Sequence, residues 1–189
     1  MQESKKLDSD NKGQIRNYSE RLIDIYKTTG TTEEFCRETV YFLETFWQYD
    51  LKYVNDLKVC IREKEKWNCI VDGIVEKNSD ESFVCKLLSE EKRYEQLMTK
   101  IENSSDRVRL LDAHEKVLRK QMPDRVIRIY SDYLERSVDM ANDRNKYKGL
   151  MVYLKKISGC AGGKEVANEI ADMWRLEFKR RSAMMDELR

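Results

Sequence analysis

The chain has 189 residues, with 36 Lys and Arg against 35 Asp and Glu; a formal net charge of +1 supplies no strong field toward nucleic acid or acidic membranes. Charged residues make up 38%, well above the usual quarter, beside 7 glycines and 1 proline, so helix breakers are few and an all-α chain is expected. No apolar run approaches the roughly 20 residues that span a bilayer, and the opening MQESKKLDSDNKG lacks the apolar core of a signal peptide.

Residues 1–13 read as a flexible arm and 14–189 as a single helical-repeat domain, expected in the cytoplasm. Ile15, Tyr18, Leu22, Ile25 and Tyr26 form a first apolar stripe, ended by Gly30. Thr31 or Thr32 then caps a second helix, with Glu33 and Glu34 favourable at its positive end. Its stripe is Phe35, Cys36, Thr39, Val40, Leu43, Phe46 and Trp47. A third helix is expected from about Asp50 through Val54, Leu57 and Ile61; a break between Arg62 and Lys66 is left open. Ser82 to Ser89 and Asp106 to Ala113 read as short helical pieces.

Pro123 suits a first-turn position, where its missing N–H costs nothing. Val126, Ile129, Tyr130, Tyr133, Leu134, Val138 and Ala141 then recur at spacings of three and four. Asn142 and Asp143 interrupt that face, and Tyr147, Leu150, Met151, Leu154 and Ile157 form the next, closed by Gly159, Gly162 and Gly163. Two such helices with a tight connection make an αα-hairpin. Val166, Ile170, Met173, Trp174 and Phe178 supply one more helix, expected to cap the last hairpin, followed by a short terminal turn around Met184 to Leu188.

A gapless pattern recurs. Glu63 to Ile74, Glu90 to Ile101 and Asp143 to Leu154 share an acidic start, a basic residue, an aromatic at Trp67, Tyr94 or Tyr147, and then aliphatics three, four and seven positions on. Such self-similarity points to a solenoid-type repeat, with the three aromatics equivalent and buried.

Candidate chemistry is sparse. Cys36, Cys60, Cys69, Cys85 and Cys160 are odd in number and form no C-x-x-C pair, so reduced, structural thiols are expected. Cys36, Cys69 and Cys85 should act as small hydrophobes, and Cys160, in the glycine-rich loop, should be exposed. His114 is the single histidine and lacks the spacing of a bundle metal site, since Leu111 stands where a glutamate belongs. The run Ser158 to Glu165 is similar to a phosphate-binding loop, yet Ser158 replaces its first glycine and Glu165 its Ser/Thr. Lys155-Lys156, Lys179-Arg180-Arg181, Arg125 with Arg128, and Lys116, Arg119 and Lys120 could line a nucleic-acid groove, but acids interleave with each. No carboxylate pair stands in an apolar context suited to acid–base work.

Pro123, Val126, Tyr130 and Leu134, then Tyr147, Leu150, Leu154 and Ile157, then Trp174 and the ending Arg180-Arg181-Ser-Ala183-Met-Met-Asp186-Glu187-Leu188 carry a resemblance. This last third to half of the chain resembles the helical region that follows the zinc-finger module in bacterial SWIM zinc-finger proteins. The resemblance implies a tetratricopeptide-like array of antiparallel helical hairpins, an α-α superhelix or solenoid. The zinc-chelating C-x-C and C-x-H elements are absent, so no metal or DNA role is carried over, and a chain that is the helical portion of something longer is left open.

The expectation is therefore a non-catalytic scaffold for protein–protein interaction, with no catalytic, cofactor or metal residues and an unassigned partner face. A nucleic-acid-associated accessory domain is the alternative, and an enzyme with an unrecognised site the second.

Overall fold

The computed structural model describes residues 11–46 and 51–189. Among them are eleven helices and no strand: α1 (Lys12–Thr29), α2 (Thr32–Thr45), α3 (Lys52–Cys60), α4 (Lys64–Lys77), α5 (Glu81–Glu90), α6 (Tyr94–Glu102), α7 (Arg107–Gln121), α8 (Pro123–Val138), α9 (Arg144–Ser158), α10 (Gly163–Glu177) and α11 (Ser182–Glu187). The all-α array is as the sequence predicts. The described residues form two compact units that part within α5, between Leu87 and Leu88. Residues 1–10, Trp47 and the expected helix start at Asp50 lie outside the described residues; α1 begins at Lys12, inside the stretch assigned to the arm.

In the first unit α1 packs on α2, and α2 packs on both α3 and α4. Its core joins Leu43, Val54, Leu57, Ile61, Trp67, Val71, Ile74, Phe83 and Leu87, beside an aromatic group in which the Phe42 ring lies 5.5 Å from Phe46 and 5.1 Å from Tyr53. Gly30 closes α1 in the left-handed conformation, as its position predicts. The face of α1 is rotated from the expected stripe: Ile23 is buried and Ile25 is exposed. Thr31 is the N-cap of α2, but its hydroxyl gives no capping bond and lies 3.3 Å from that of Thr29. The chain does break between α3 and α4. Ile61 adopts an extended conformation, its side chain entering the core.

Buried Asn78 is a connection the periodicity did not reveal. Its amide donates to the carbonyls of Leu43 (2.6 Å) and Phe46 (3.2 Å) at the end of α2, while its own oxygen accepts from Asp80 N–H at 2.8 Å. Carbonyls at a helix end need such partners, and one side chain here serves two of them.

In the second unit each helix from α6 to α10 packs on the next, α10 also touches α8, and α11 packs on α9. α7 runs to Gln121, well beyond the short piece ending near Ala113, because Leu118 adds another fully buried apolar position. Pro123 opens α8 in its first turn, and the Asp143 side chain caps α9 by accepting from Lys146 N–H at 2.9 Å. Arg181 donates to the carbonyls of Val138 (3.0 Å) and Ala141 (3.1 Å), and Arg144 pairs with Asp186 (3.0 Å) and Glu187 (3.1 Å). Much of the terminal motif that carries the resemblance therefore holds α11 and the end of α8 in place.

Trp67 and Tyr147 occupy the fourth residue of α4 and α9 and are buried, at 5% and 4% exposure. Tyr94 is instead the first residue of α6 and half-buried. The helix start has shifted by three residues in that segment, so Trp67 and Tyr147 share a position within their helices and Tyr94 does not; α4 packs on α2, whereas α9 packs on α8 and α10. The aliphatics Leu97, Met98 and Ile101 nonetheless remain buried as the pattern requires.

Candidate functional site

The residues singled out for chemistry do not converge. His114 is half-buried on α7, and the described residues contain no cluster of three or more His, Cys, Asp or Glu able to hold a metal. Ser158 to Glu165 is a helix end, a turn and a new helix, with Gly162 at φ +72. Cys160 is 6% exposed, contrary to expectation, because the turn folds back on α9: its N–H donates to Ile157 O at 2.9 Å and its thiol to Lys156 O at 3.4 Å. Burial pushes that thiol up in pKa, and Arg119 opposes the shift. Cys69, expected to be packed, is exposed.

Half of the cations proposed for a basic groove, Arg119, Arg125, Arg128, Lys156 and Arg181, are engaged internally. Arg125 and Arg128 both bind Glu102, at 2.5 Å each, and Arg125 also reaches Glu95 at 2.8 Å. The Arg125 hydrogen bond leads the forces that hold the Glu102 carboxyl below its ordinary pKa.

A polar network in the second unit joins α7, α8 and α9. Asp112 accepts from Tyr130 (2.7 Å), Tyr153 (3.1 Å) and Lys156 (2.5 Å), and Lys156 also lies 3.4 Å from Glu115. The Lys156 ammonium is 5.3 Å and 5.0 Å from the ring centroids of Tyr130 and Tyr153, so the tyrosines meet it with their faces and Asp112 with their hydroxyls. Burial, followed by the Asp112 hydrogen bond, drives the Tyr130 hydroxyl far up; burial and the Asp112 charge push Tyr153 up to about 12. The network ties α7, α8 and α9 together through side chains 18 to 44 residues apart. Local clues existed: Asp112 and Glu115, and Tyr153 and Lys156, are each three apart beside an apolar stripe, hence on one helix side.

Two results follow. Asp112→Ala strips three donors of their acceptor and should cost about 1–3 kcal/mol, with Asp112→Asn costing less, read from urea midpoints. Because the folded-state pKa of Tyr153 lies above its unfolded value near 10, its contribution is intact below that pH and is lost as pH rises toward about 12. Tyr153→Phe should flatten that alkaline limb of the stability profile.

The first unit carries an open groove of about 800 Å³ between α2 and the α3–α4 connection. Val40, Ile61 and Ile70 give it an apolar floor. Arg37, Arg62 and Lys66 stand around it without an ion pair among the described residues, accompanied by Glu33 and Glu63. Cys36 and Cys60 share its wall. Burial pushes the Cys36 thiol up, the neighbouring Cys60 adds to the shift through charge and a hydrogen bond, and Lys66 opposes it. Sequence reasoning did not find this groove. Its residues come from two segments, each of which reads as an ordinary amphipathic helix.

A smaller groove of about 420 Å³ in the second unit lies between α8 and α9, walled by Tyr133, Ser137, Met140, Ala141, Lys146 and Leu150 among others. Comparison with known proteins found no matching family model, no matching curated protein and no matching solved structure.

Proposed function

We propose that the protein is a non-catalytic helical scaffold for protein–protein interaction, with the groove of the first unit as its working face. The carrying observation is the pairing of an apolar floor with cations that form no ion pair among the described residues. Apolar side chains at Val40, Ile61 and Ile70 can receive one face of an amphipathic segment, while Arg37, Arg62 and Lys66 meet acids flanking it. Glu33 and Glu63 break the positive rim, which favours a short segment in one register over a uniformly anionic chain. The tetratricopeptide-like repeat remains the proposed architecture, supported by the matched places of Trp67 and Tyr147. A reducing compartment such as the cytoplasm suits five cysteines that form no disulfide.

A panel of labelled amphipathic peptides, with acidic or basic flanks around the same apolar face, tests the reading by fluorescence anisotropy. Acidic-flanked peptides should bind best, and the double variant Arg62→Glu/Lys66→Glu should weaken them at least about tenfold while sparing the melting curve. Equal binding by wild type and double variant would overturn the groove assignment. Preferential, salt-dependent binding of single-stranded DNA or RNA competitors would transfer support to the nucleic-acid reading.

A further inference from the structure

We infer that Cys36 and Cys60 form a dithiol site that reacts with low-molecular-weight disulfides and is converted to an intramolecular disulfide across the groove wall. Cys36 lies within α2 and Cys60 is the last residue of α3, so 24 positions of sequence separate two thiols that share one groove. α2 and α3 pack together, and Cys36 rests on the same core cluster as Ile61, the residue after Cys60. The inference does not depend on what the groove binds.

The two thiols differ in access, and that difference assigns their roles. Cys60 is exposed and is reached first; Cys36 is half-buried. The Cys60 thiolate attacks one sulfur of a disulfide RSSR, forming a Cys60–SR mixed disulfide and releasing RS⁻, which takes up the proton Cys60 lost. The Cys36 thiol, after losing its proton to solvent, attacks the Cys60 sulfur. That step forms the Cys36–Cys60 bond and expels the second RS⁻, which is protonated to RSH. The balance is protein(SH)₂ + RSSR → protein(S–S) + 2 RSH, with the small disulfide as the oxidant. Burial holds the Cys36 thiol up overall, and Lys66, close enough to act on it, offsets part of that shift toward the thiolate that the resolving step needs.

The other cysteines provide internal controls. Cys69 is exposed and is the sixth residue of α4, so it should stop at the mixed disulfide; Cys85 and Cys160 are buried and should stay unmodified.

The test is incubation of the full chain with oxidised glutathione, followed by intact-mass and non-reducing peptide mapping. The expected wild-type product carries a Cys36–Cys60 cross-link and a persistent glutathione adduct at Cys69 alone. In Cys36→Ser the adduct on Cys60 should accumulate at least about tenfold over wild type. In Cys60→Ser, Cys36 should react at least about tenfold more slowly than Cys60 does in wild type, a measurement that keeps the test valid if the Cys36 variant folds poorly. A stable Cys60 adduct in wild type, at the level seen on Cys69, would overturn the inference. So would cross-linking of Cys60 to Cys69 in place of Cys36.

Discussion

Trp174→Ala should produce the largest loss of stability of any single truncation in the second unit. Trp174 is 1% exposed on α10, the helix that packs on α9 and touches α8. Removing a buried indole forfeits its transfer free energy and leaves a cavity, together about 3–5 kcal/mol. For a unit of this size that lowers the melting midpoint by well over about 10 °C. The indole Nε1 is buried without a hydrogen-bond partner among the described residues, so the contribution of this side chain is packing alone. Trp174→Phe keeps much of the apolar volume and removes the unpaired N–H, whose burial itself carries a cost. It should therefore cost less than half of the alanine change. Thermal melts of the three proteins decide the matter; equal midpoints for wild type and Trp174→Ala would show that α10 contributes nothing to the unit.

Gly163→Ala should be the most damaging conservative change. A Cβ at Gly163 would sit 2.0 Å from the Ile157 carbonyl oxygen and 2.9 Å from its carbon. Neither is the mobile end of a side chain. The Ile157 carbonyl is held by the Cys160 N–H at 2.9 Å, and Gly163 N–H donates to Cys160 O at 3.1 Å, so the turn is tied at both ends. Relief requires moving the whole turn, including the buried Cys160, and should cost about 1–3 kcal/mol or more. Gly149 supplies the opposite case, because a Cβ there meets nothing within 4 Å in the middle of α9. Gly149→Ala should raise stability by about 0.5–1 kcal/mol through helix propensity. Chemical denaturation of both variants should give shifts of opposite sign; two destabilisations would mean that glycine is needed at 149 for a reason other than backbone freedom.

The pattern of legible and illegible features has a physical cause. Val126, Ile129, Tyr130, Leu134 and Val138 of α8, and all five stripe residues of α9, are buried as their spacing predicts. Each repeats every three or four residues, and a helix turns that spacing into one face whatever it packs against. The face of α1 was harder to place, because Leu22, Ile23, Ile25 and Tyr26 surround more than one possible stripe and only packing on α2 selects Ile23 over Ile25. The extension of α7 was missed because His114 to Gln121 is mostly polar, with Leu118 carrying its burial. Cys69 and Cys160 exchanged their expected environments for the same reason. A thiol beside an apolar residue is buried only if the neighbouring helix covers that side, and a loop thiol is buried when the loop folds back.

The sequence by itself determined the all-α class, most helix positions and the apolar faces of α8 and α9, since these follow from contacts between residues three or four apart. It also placed Pro123 at a helix start and Gly30 at a helix end, where the backbone demand is local. Tertiary structure alone decided that Asp112 meets Tyr130, Tyr153 and Lys156, that Glu102 pairs with both Arg125 and Arg128, and that Asn78 holds the end of α2. It likewise decided that Cys36 and Cys60 share a groove wall and that Gly163 has no room for a methyl group. These partners lie well apart along the chain or on the far side of a turn. Their encounter depends on how whole helices pack, and helical periodicity specifies a face without specifying which helix will cover it.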